Sequence, residues 1–180
     1  FFCGSHGYGS KVLPYEEASR VPLIIFDPRH ENSGKQIRCN ALTGNVDFAP
    51  TILTLANIDV PENVDGKDLM PLYEDPTATV HSALPLINVW GPKQAHSYGV
   101  VTQDWKYIYW PYEEDGVSAT EELYELSSDP LELTELSTVE SAAGDLIRMR
   151  ALYDQAVTDW KENAVPYHNY QPFGDLFSRQ

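Results

Sequence analysis

The chain has 180 residues, of which 42% are hydrophobic and 12% aromatic, and its formal net charge is −15. This composition indicates a packed core rather than a disordered chain. The acidic balance disfavours a nucleic-acid partner, because neutralising phosphates needs a basic surface. The longest apolar runs, such as residues 21–26, are far too short to span a bilayer, so we expect no membrane insertion.

The beginning of the chain combines a loop with short helical and strand patterns. Residues 1–13 are rich in Gly, Ser and His and are predicted to form a loop. Residues 14–20 are predicted to form a short helix, with Pro14 in its first turn and acidic residues near its positive end. Residues 21–26 are apolar on both faces, which is typical of a central strand buried from both sides.

A second helix is predicted to begin at Asp47, a good N-cap residue, with Pro50 in its first turn. Its buried side is predicted from four apolar residues, which are Ile52, Leu53, Leu55 and Ala56. Residues 65–72 are predicted to form a turn followed by a short helical piece. We assign all of these elements to the end of an α/β domain that covers residues 1–78.

The pattern changes after about residue 78. Strands are predicted at residues 84–90, 98–102, 105–110 and 122–126, and the second and third of them form a hairpin that turns near Gln103 and Asp104. Residues 139–163 have helical spacing. Their broad apolar stripe comprises Leu146, Met149, Leu152, Tyr153, Ala156, Val157 and Trp160. The sequence therefore predicts an antiparallel sheet covered by a long helix over residues 79–180.

Familiar catalytic and metal-binding patterns are missing from the chain. Two cysteines, Cys3 and Cys39, are too few for a disulfide framework or a zinc site, and we expect two buried thiols. Ser5 and His6 are sequence neighbours, which is not the arrangement of a catalytic triad. Residues 7–11 lack the spacing of a P-loop. The residue types and spacings alone therefore point to no particular reaction.

Seven short motifs follow one another between residues 4 and 136. They are GSHGYGSK at 4–11, PYEEASRVPLI at 14–24, DFAPTIL at 47–53, VDGKDL at 64–69, WKYI at 105–108, ELYEL at 122–126 and DPLE at 129–132. In this order they resemble the carboxy-terminal segments of formylglycine-dependent sulfatases, which belong to the alkaline-phosphatase superfamily. The resemblance implies an α/β fold: the last part of the catalytic domain over residues 1–78 and a carboxy-terminal subdomain over residues 79–180.

The resemblance implies hydrolysis of sulfate esters by a formylglycine hydrate, which is made from the Cys or Ser of a Cys-x-Pro-x-Arg signature. It also implies a divalent cation, usually calcium, that upstream Asp and Asn residues hold and that polarises the sulfate. Neither Cys3 nor Cys39 is followed by Pro and Arg at the required positions. We therefore expect the nucleophile and the metal ligands to lie upstream of this chain, and we expect the chain alone to be inactive.

Two residues match family positions that lie near the substrate. Lys11 matches the family's sulfate-contacting Lys, whose ammonium would act as a point charge on a sulfate oxygen. His6 matches the His at the mouth of the pocket, which either binds substrate or stabilises the loop. Ser5 replaces the Glu that the family usually has beside this His.

Other polar and aromatic residues carry weaker hypotheses. Arg20 matches a family Arg, which we expect to tie helix to strand through Glu16 or Glu17. The remaining histidines have no motif support and are predicted to be surface or hydrogen-bonded residues: His30, His81, His96 and His168. Four aromatic residues either form a sugar-binding face or pack in the core: Tyr107, Tyr109, Trp110 and Tyr112.

The leading hypothesis is that the parent protein is a calcium-dependent sulfatase acting on a sulfated carbohydrate or a related ester, with the upstream part of the same protein as this chain's partner. One alternative is a non-catalytic glycan-binding or structural module derived from a sulfatase tail. Another is a relative in the same superfamily that acts on phosphate esters. The resemblance favours a periplasmic or secreted parent, although the compartment itself stays open.

Overall fold

The computed structural model describes residues 2–9, 11–165 and 169–179. Ser10 of the first motif and His168 lie outside these described residues. The helices are α1 Glu16–Ser19, α2 Phe48–Leu55, α3 Met70–Glu74, α4 Ala143–Asn163 and α5 Phe173–Leu176. The strands are β1 Leu84–Asn88, β2 Ser97–Val101, β3 Trp105–Trp110 and β4 Thr120–Glu125.

The chain forms two compact units. The sheet unit combines the described residues up to Val21 with those from Pro85 onward, and the middle unit is Pro22–Leu84. The first loop and α1 therefore pack with a sheet that is distant from them in the sequence. The predicted division between residues 78 and 79 follows the family resemblance rather than these contacts, and it stays a prediction.

The sheet unit is built on a four-stranded sheet in the order β1-β2-β3-β4. Strands β2 and β3 pair antiparallel, with Tyr98 opposite Tyr109, and β3 pairs antiparallel with β4, with Lys106 opposite Tyr124. The predicted hairpin is confirmed, and its turn is closed by the Thr102 amide, which donates to the Trp105 carbonyl at 2.8 Å. Aromatic and branched residues favour these strands because they pack well on a pleated surface.

Helix α4 covers one face of this sheet, as its apolar spacing predicts. Tyr153 is fully buried at the centre, and its ring lies 5.2 Å from that of Tyr107, 5.3 Å from that of Tyr98 and 5.8 Å from that of Tyr109. Tyr107 and Tyr109 are therefore core residues rather than parts of a sugar-binding face. In the described ranges, no helix combines the length and the apolar character that crossing a membrane requires.

The strand predicted at residues 21–26 does not form. Ile24 is 90% exposed and Phe26 is 70% exposed, so the prediction of a strand buried on both faces is wrong for this chain. A central strand needs hydrogen-bonded neighbours along both edges. No strand in the described part of the chain pairs with residues 21–26. The apolar pattern is present, but the structure that would bury it is not.

The middle unit is organised around the buried carboxylate of Asp47. Its Oδ2 accepts a hydrogen bond from the Gly44 amide at 2.8 Å, and its Oδ1 accepts one from the Lys67 amide at 2.8 Å. The Nε2 atom of His81 also lies 2.8 Å from Oδ1. A buried carboxylate is tolerated when its lone pairs are satisfied in this way. Asp47 therefore joins the start of α2 to two remote segments of the middle unit.

The predicted buried side of α2 is wrong for Ile52 and Ala56, which are exposed, whereas Leu53 and Leu55 are partly buried. Pro50 and Thr51 are the buried residues of this helix, whereas Ile52 is 63% exposed. The hydroxyl of Thr51 donates to the Asp47 carbonyl at 2.6 Å and accepts from the Leu69 amide at 2.9 Å. These polar contacts turn the Thr51 side of the helix inward. The side chain of Asp47 itself makes no capping bond to the helix, although Asp47 holds the N-cap position.

Both cysteines are exposed and free, so the prediction of two buried thiols is also wrong. Cys3 lies in a turn with a φ of 49°, and Cys39 lies in an irregular segment of the middle unit. Neither position belongs to a helix or strand that would carry it into a core.

Gly66 is required because the chain passes against another backbone segment at this point. A Cβ atom added to Gly66 would lie 1.9 Å from the carbonyl oxygen of Val46 and 2.9 Å from the Cα of Asp47. This approach brings the Lys67 amide to the Asp47 carboxylate. Because Gly66 has no side chain, the turn before α3 can pack directly against the start of α2.

We predict that Gly66→Ala lowers the free energy of unfolding by about 3 kcal/mol, because the new methyl group collides with backbone rather than with a flexible side chain. Urea denaturation of the chain measures this change. Gly144→Ala is the matched control, since a Cβ at Gly144 meets nothing within 4 Å and this glycine lies in α4. The control is expected to gain roughly 0.5–1 kcal/mol. Equal effects of the two substitutions would contradict the proposed close approach.

Candidate functional site

The loop that precedes Lys11 has a backbone shape that few residues adopt. Gly4, His6 and Gly7 have φ angles of 106°, 51° and 77°, all in the left-handed region. Glycine adopts this region freely, whereas a residue with a Cβ does so at a cost. The Gly4 amide donates to the Tyr8 carbonyl at 2.9 Å and closes the loop. The conformation of His6 is therefore one that its surroundings must hold.

His6 is held by contacts on two sides of its ring. Its Nε2 atom lies 3.1 Å from the carbonyl oxygen of Leu131, and its ring stacks on that of Tyr15 with centroids 4.3 Å apart. A carbonyl oxygen only accepts, so Nε2 carries the proton. The nearest carboxylate oxygen, Oε2 of Glu17, lies 3.7 Å from Nε2. These contacts assign His6 a loop-stabilising role, and its substrate role stays a prediction.

Lys11 contrasts with His6 because it is exposed. With the described residues of the chain it forms no ion pair and no hydrogen bond. An ammonium in this situation keeps its charge available for an external anion. The structure thus places Lys11 and His6 on one loop without joining their side chains, and the sulfate contact of Lys11 stays a prediction.

Beneath this loop lies a buried lysine that the sequence analysis missed. The Nζ atom of Lys106, on β3, is 2.8 Å from Oε1 of Glu16 and 2.7 Å from Oε1 of Glu132. It also donates to the Pro14 carbonyl at 2.9 Å and to the Ser19 hydroxyl at 3.3 Å. The side chains of Lys106 and Glu132 are 0% exposed. The sequence signal for this buried lysine was a single charged residue within the otherwise apolar and aromatic motif WKYI.

The charges in this cluster depend on one another. Burial raises the pKa of the Glu132 carboxyl, and the Lys106 ammonium opposes that shift. The other carboxylate oxygen of Glu132 accepts from the Glu16 amide at 2.5 Å. Removing one partner of such a buried pair typically costs about 3–5 kcal/mol, because the remaining charge is left without compensation. Lys106, Glu16 and Glu132 therefore form one interdependent group, which we call the buried ion cluster.

Glu122 on β4 is a further carboxylate near the same loop. The hydroxyl of Tyr15 donates to Oε2 of Glu122 at 2.9 Å, and the hydroxyl of Tyr124 donates to the same oxygen at 3.2 Å. Burial raises the pKa of Glu122, while these hydroxyl donors oppose the shift. Burial likewise raises the pKa of Tyr15 far above its usual value. Burial raises the pKa of Tyr124 in the same direction, so both tyrosines stay neutral hydrogen-bond donors throughout the ordinary pH range.

The side chains of His6, Glu17 and Glu132 offer ligand atoms within 4.8 Å of one another, which is close enough for a metal ion. However, the Lys106 ammonium lies 2.7 Å from Glu132, and the Leu131 carbonyl lies 3.1 Å from the His6 nitrogen. The ammonium already supplies the positive charge at this point. Calcium prefers six to eight oxygen ligands. These residues do not fit a calcium site, and no chemical step is assigned to a metal held by them.

The other predicted polar residues have structural partners. Arg20 directly follows α1, is 74% exposed and pairs with Glu16 at 3.8 Å, so the predicted pairing with Glu16 is confirmed. The strand that this pair was expected to tie to the helix does not form at residues 21–26. The histidines of the middle unit are hydrogen-bonded: His81 to Asp47, and His30, whose Nδ1 accepts from the Asn32 amide at 3.1 Å. The His96 ring packs against Phe173 with centroids 5.7 Å apart.

Comparison with known proteins places these residues in a wider context. The family model described as N-sulphoglucosamine sulphohydrolase, C-terminal, matches residues 4–153. An N-acetylglucosamine-6-O-sulfatase of Bacteroides thetaiotaomicron is 31% identical over 169 residues, which cover 91% of this chain and 29% of the relative. Arylsulfatase K of Xenopus laevis is 34% identical over 135 residues, which cover 71% of this chain and 24% of the relative.

The fold of this chain also matches that of a solved structure. It is a complex of a protein with its substrate D-glucosamine-2-N,6-O-disulfate, and it matches this chain with a TM-score of 0.72 at 28% identity. The match covers 94% of this chain and 34% of the solved chain. This chain therefore spans between about a quarter and a third of the length of the proteins that it resembles.

The raised pKa of Glu122 predicts a pH dependence of stability. The folded chain holds this proton more tightly than the unfolded chain, whose ordinary value is 4.5. The contribution of Glu122 is therefore fully present below pH 4.5 and is lost as the pH rises through the folded-state pKa. We expect Glu122→Gln to lose less stability than the wild type between about pH 4.5 and neutrality.

Urea midpoints measured across this pH range test the expectation. The change of the urea midpoint with pH is compared rather than the midpoint itself, because the glutamine amide of Glu122→Gln also changes the hydrogen bonds from Tyr15 and Tyr124. Glu162→Gln, which removes an exposed carboxyl on α4, is the charge control. The assignment fails if Glu122→Gln and wild type lose stability in parallel.

Proposed function

Because this chain belongs to the sulfatase family whose model is described as N-sulphoglucosamine sulphohydrolase, C-terminal, we propose that it is the carboxy-terminal part of an enzyme that hydrolyses sulfate esters. The predicted resemblance and the α/β fold class are confirmed by this family and by the matching solved structure. The observation that carries the functional proposal is Lys11, an exposed cation on the same loop as Gly4, His6 and Gly7, whose φ angles are left-handed.

Lys11 is proposed to contact the sulfate group during its transfer. A sulfate ester that is being cleaved gathers negative charge on its oxygens, and an ammonium fixed near those oxygens stabilises that charge more than it stabilises the ground state. Lys11 suits this role because it has no counter-ion within the described ranges that would have to be displaced first.

His6 is proposed to stand beside the substrate while it holds the loop. Its Nε2 atom is engaged by the Leu131 carbonyl, so a hydrogen bond from this ring to a substrate would involve Nδ1. With the proton on Nε2, Nδ1 is an acceptor and suits a hydroxyl of the substrate rather than a sulfate oxygen. Lys11 and His6 would then have different tasks: charge stabilisation for Lys11 and orientation for His6.

The nucleophile and the metal are proposed to come from the upstream part of the same protein. A formylglycine hydrate would supply the attacking oxygen, and a divalent cation, with calcium as the expected ion, would polarise the sulfate. The exposed apolar side chains of Leu23, Ile24 and Phe26 support an additional covering element, because such surface is normally buried. The chain on its own is proposed to be inactive.

The proposed substrate class is a sulfated carbohydrate. Two comparisons support it: the match to the N-acetylglucosamine-6-O-sulfatase and the match to the solved complex with D-glucosamine-2-N,6-O-disulfate. A sulfated glucosamine is therefore the first compound to test. The alternative of a glycan-binding module has less support, because Tyr107 and Tyr109 of its suggested aromatic face are buried under α4.

We predict that the full-length parent protein releases sulfate from a sulfated glucosamine, and that Lys11→Ala lowers kcat about 10²–10³-fold, since one charge contact to a transition state is typically worth that much. Sulfate release under saturating substrate measures the effect. Lys35→Ala is the control, because Lys35 is an exposed lysine of the middle unit that bonds Asn32. A loss of less than about threefold would remove Lys11 from the proposed site.

A second prediction concerns the chain by itself. The purified 180-residue chain is expected to release no sulfate above the uncatalysed background, with or without added calcium. The group of described side chains that lies close enough to hold a metal ion does not suit calcium, and neither cysteine lies in the formylglycine signature. Metal-dependent turnover by the isolated chain would overturn the proposal that the nucleophile lies upstream. Hydrolysis of a phosphate ester in preference to a sulfate ester by the full-length protein would instead favour the phosphatase-like alternative.

A further inference from the structure

The buried ion cluster connects the sheet to the segment that follows Lys11. Lys106 is the second residue of β3, and its neighbours in the sheet are Val101 of β2 and Tyr124 of β4. From there its ammonium contacts the Pro14 carbonyl, the Glu16 carboxylate and the Ser19 hydroxyl. These three groups lie on one short stretch of chain that includes α1. Through these contacts Lys106 holds residues 14–19 against the sheet.

Two consecutive residues after β4, Leu131 and Glu132, contact the chain on both sides of Lys11. On one side, the Leu131 carbonyl lies 3.1 Å from the His6 nitrogen. On the other side, the next residue, Glu132, accepts from the Glu16 amide at 2.5 Å and pairs with Lys106 at 2.7 Å. The loop that carries Lys11 is therefore fastened before and after that residue, although Lys11 itself remains exposed.

We propose that Lys106 is a positioning residue for Lys11: its ammonium fixes residues 14–19 on the sheet, and this attachment sets where the Lys11 ammonium stands in the site. The inference rests on the proposed sulfatase function of the parent protein. Lys106 acts through the loop, since its own side chain is 0% exposed and its ammonium is occupied by four oxygen atoms of the chain.

A charged residue is suited to this task because a buried ion pair tolerates little displacement. An apolar side chain of the same length would fill the space but would allow α1 to slide, whereas the ammonium is stabilised only where the Glu16 and Glu132 oxygens converge. Replacing Lys106 by Met leaves these two carboxylates facing each other without a cation. We expect α1 to move away from Glu132, and the Lys11 loop to move with it.

The effect on catalysis follows from the distance dependence of a charge contact. A displacement of about 1 Å at a reacting group costs on the order of 10²-fold in rate. Because the Lys11 contact is proposed to strengthen in the transition state, its misplacement lowers kcat more than it changes KM. A merely structural role of Lys106 would instead reduce the amount of folded enzyme and leave the kcat of the folded fraction unchanged.

The test uses the full-length parent protein with Lys106→Met and Glu132→Gln. The second variant keeps the pairing of Lys106 with Glu16 and is the milder change, so it remains informative if Lys106→Met does not fold. Lys93→Met is the matched control, because Lys93 forms an exposed pair with Glu114 at 2.7 Å. Sulfate release per active enzyme gives kcat and KM, and hydrogen exchange followed by mass spectrometry reports peptides that cover residues 11–20 and residues 143–163.

For Lys106→Met we expect kcat to fall about 10–100-fold with KM changed by less than about threefold, and exchange to rise in residues 11–20 but not in α4. For Glu132→Gln we expect the same pattern with a kcat loss of about 3–10-fold. Lys93→Met is expected to match the wild type in both measurements.

Three results would overturn the inference. Unchanged kcat in Glu132→Gln, exchange that rises equally in residues 11–20 and in α4, or a loss that appears only in KM each contradict a positioning role. A failure of the proposed function is distinguishable, because it appears in the wild type as an absence of sulfate release. In that case the exchange pattern alone still decides whether Lys106 fixes the loop.

Discussion

The buried ammonium of Lys106 is the interaction on which the sheet unit depends. It is the point where β3, which carries Lys106, meets α1 and the segment after β4. The stretch that includes α1 contributes oxygen atoms of Pro14, Glu16 and Ser19, and the segment after β4 contributes one of Glu132, all within 3.3 Å of the ammonium. A buried charge without such partners is costly, so these oxygens are what make the position of Lys106 tolerable. Three of the sequence motifs, PYEE, WKYI and DPLE, therefore supply partners to one electrostatic group. The three motifs, which are far apart in the sequence, are therefore in direct contact in the structure.

The middle unit uses the same principle with the opposite charge. The Asp47 carboxylate is buried and is satisfied by two backbone amides and by His81. The approach of Gly66 to the Val46 carbonyl brings one of those amides into place. The motifs DFAPT and VDGK are thus two halves of one hydrogen-bonded arrangement. In both units, a polar group that would be costly to bury alone specifies how remote segments fit together.

Two features on the surface of the chain are neither covered nor paired by its described residues. One is the exposed apolar segment at residues 21–26, and the other is the Lys11 ammonium. The first suits a covering partner and the second suits an anion. Both agree with a chain that spans about a third or less of the proteins it resembles. The sulfatase proposal accounts for the two features together, because the upstream part of such an enzyme would cover the first and bring the substrate to the second.

The sequence by itself determined the hairpin of β2 and β3, the helix α4 and the short helix α3, because turn chemistry and apolar spacing act between neighbours in the chain. It also predicted Lys11 and His6 as site residues, through motifs rather than contacts. Only the tertiary structure decided that residues 21–26 remain exposed, that Thr51 faces inward on α2 and that Lys106 lies under the loop. In each case the partner, or its absence, lies far away in the sequence, and burial and charge pairing are properties of the assembled chain.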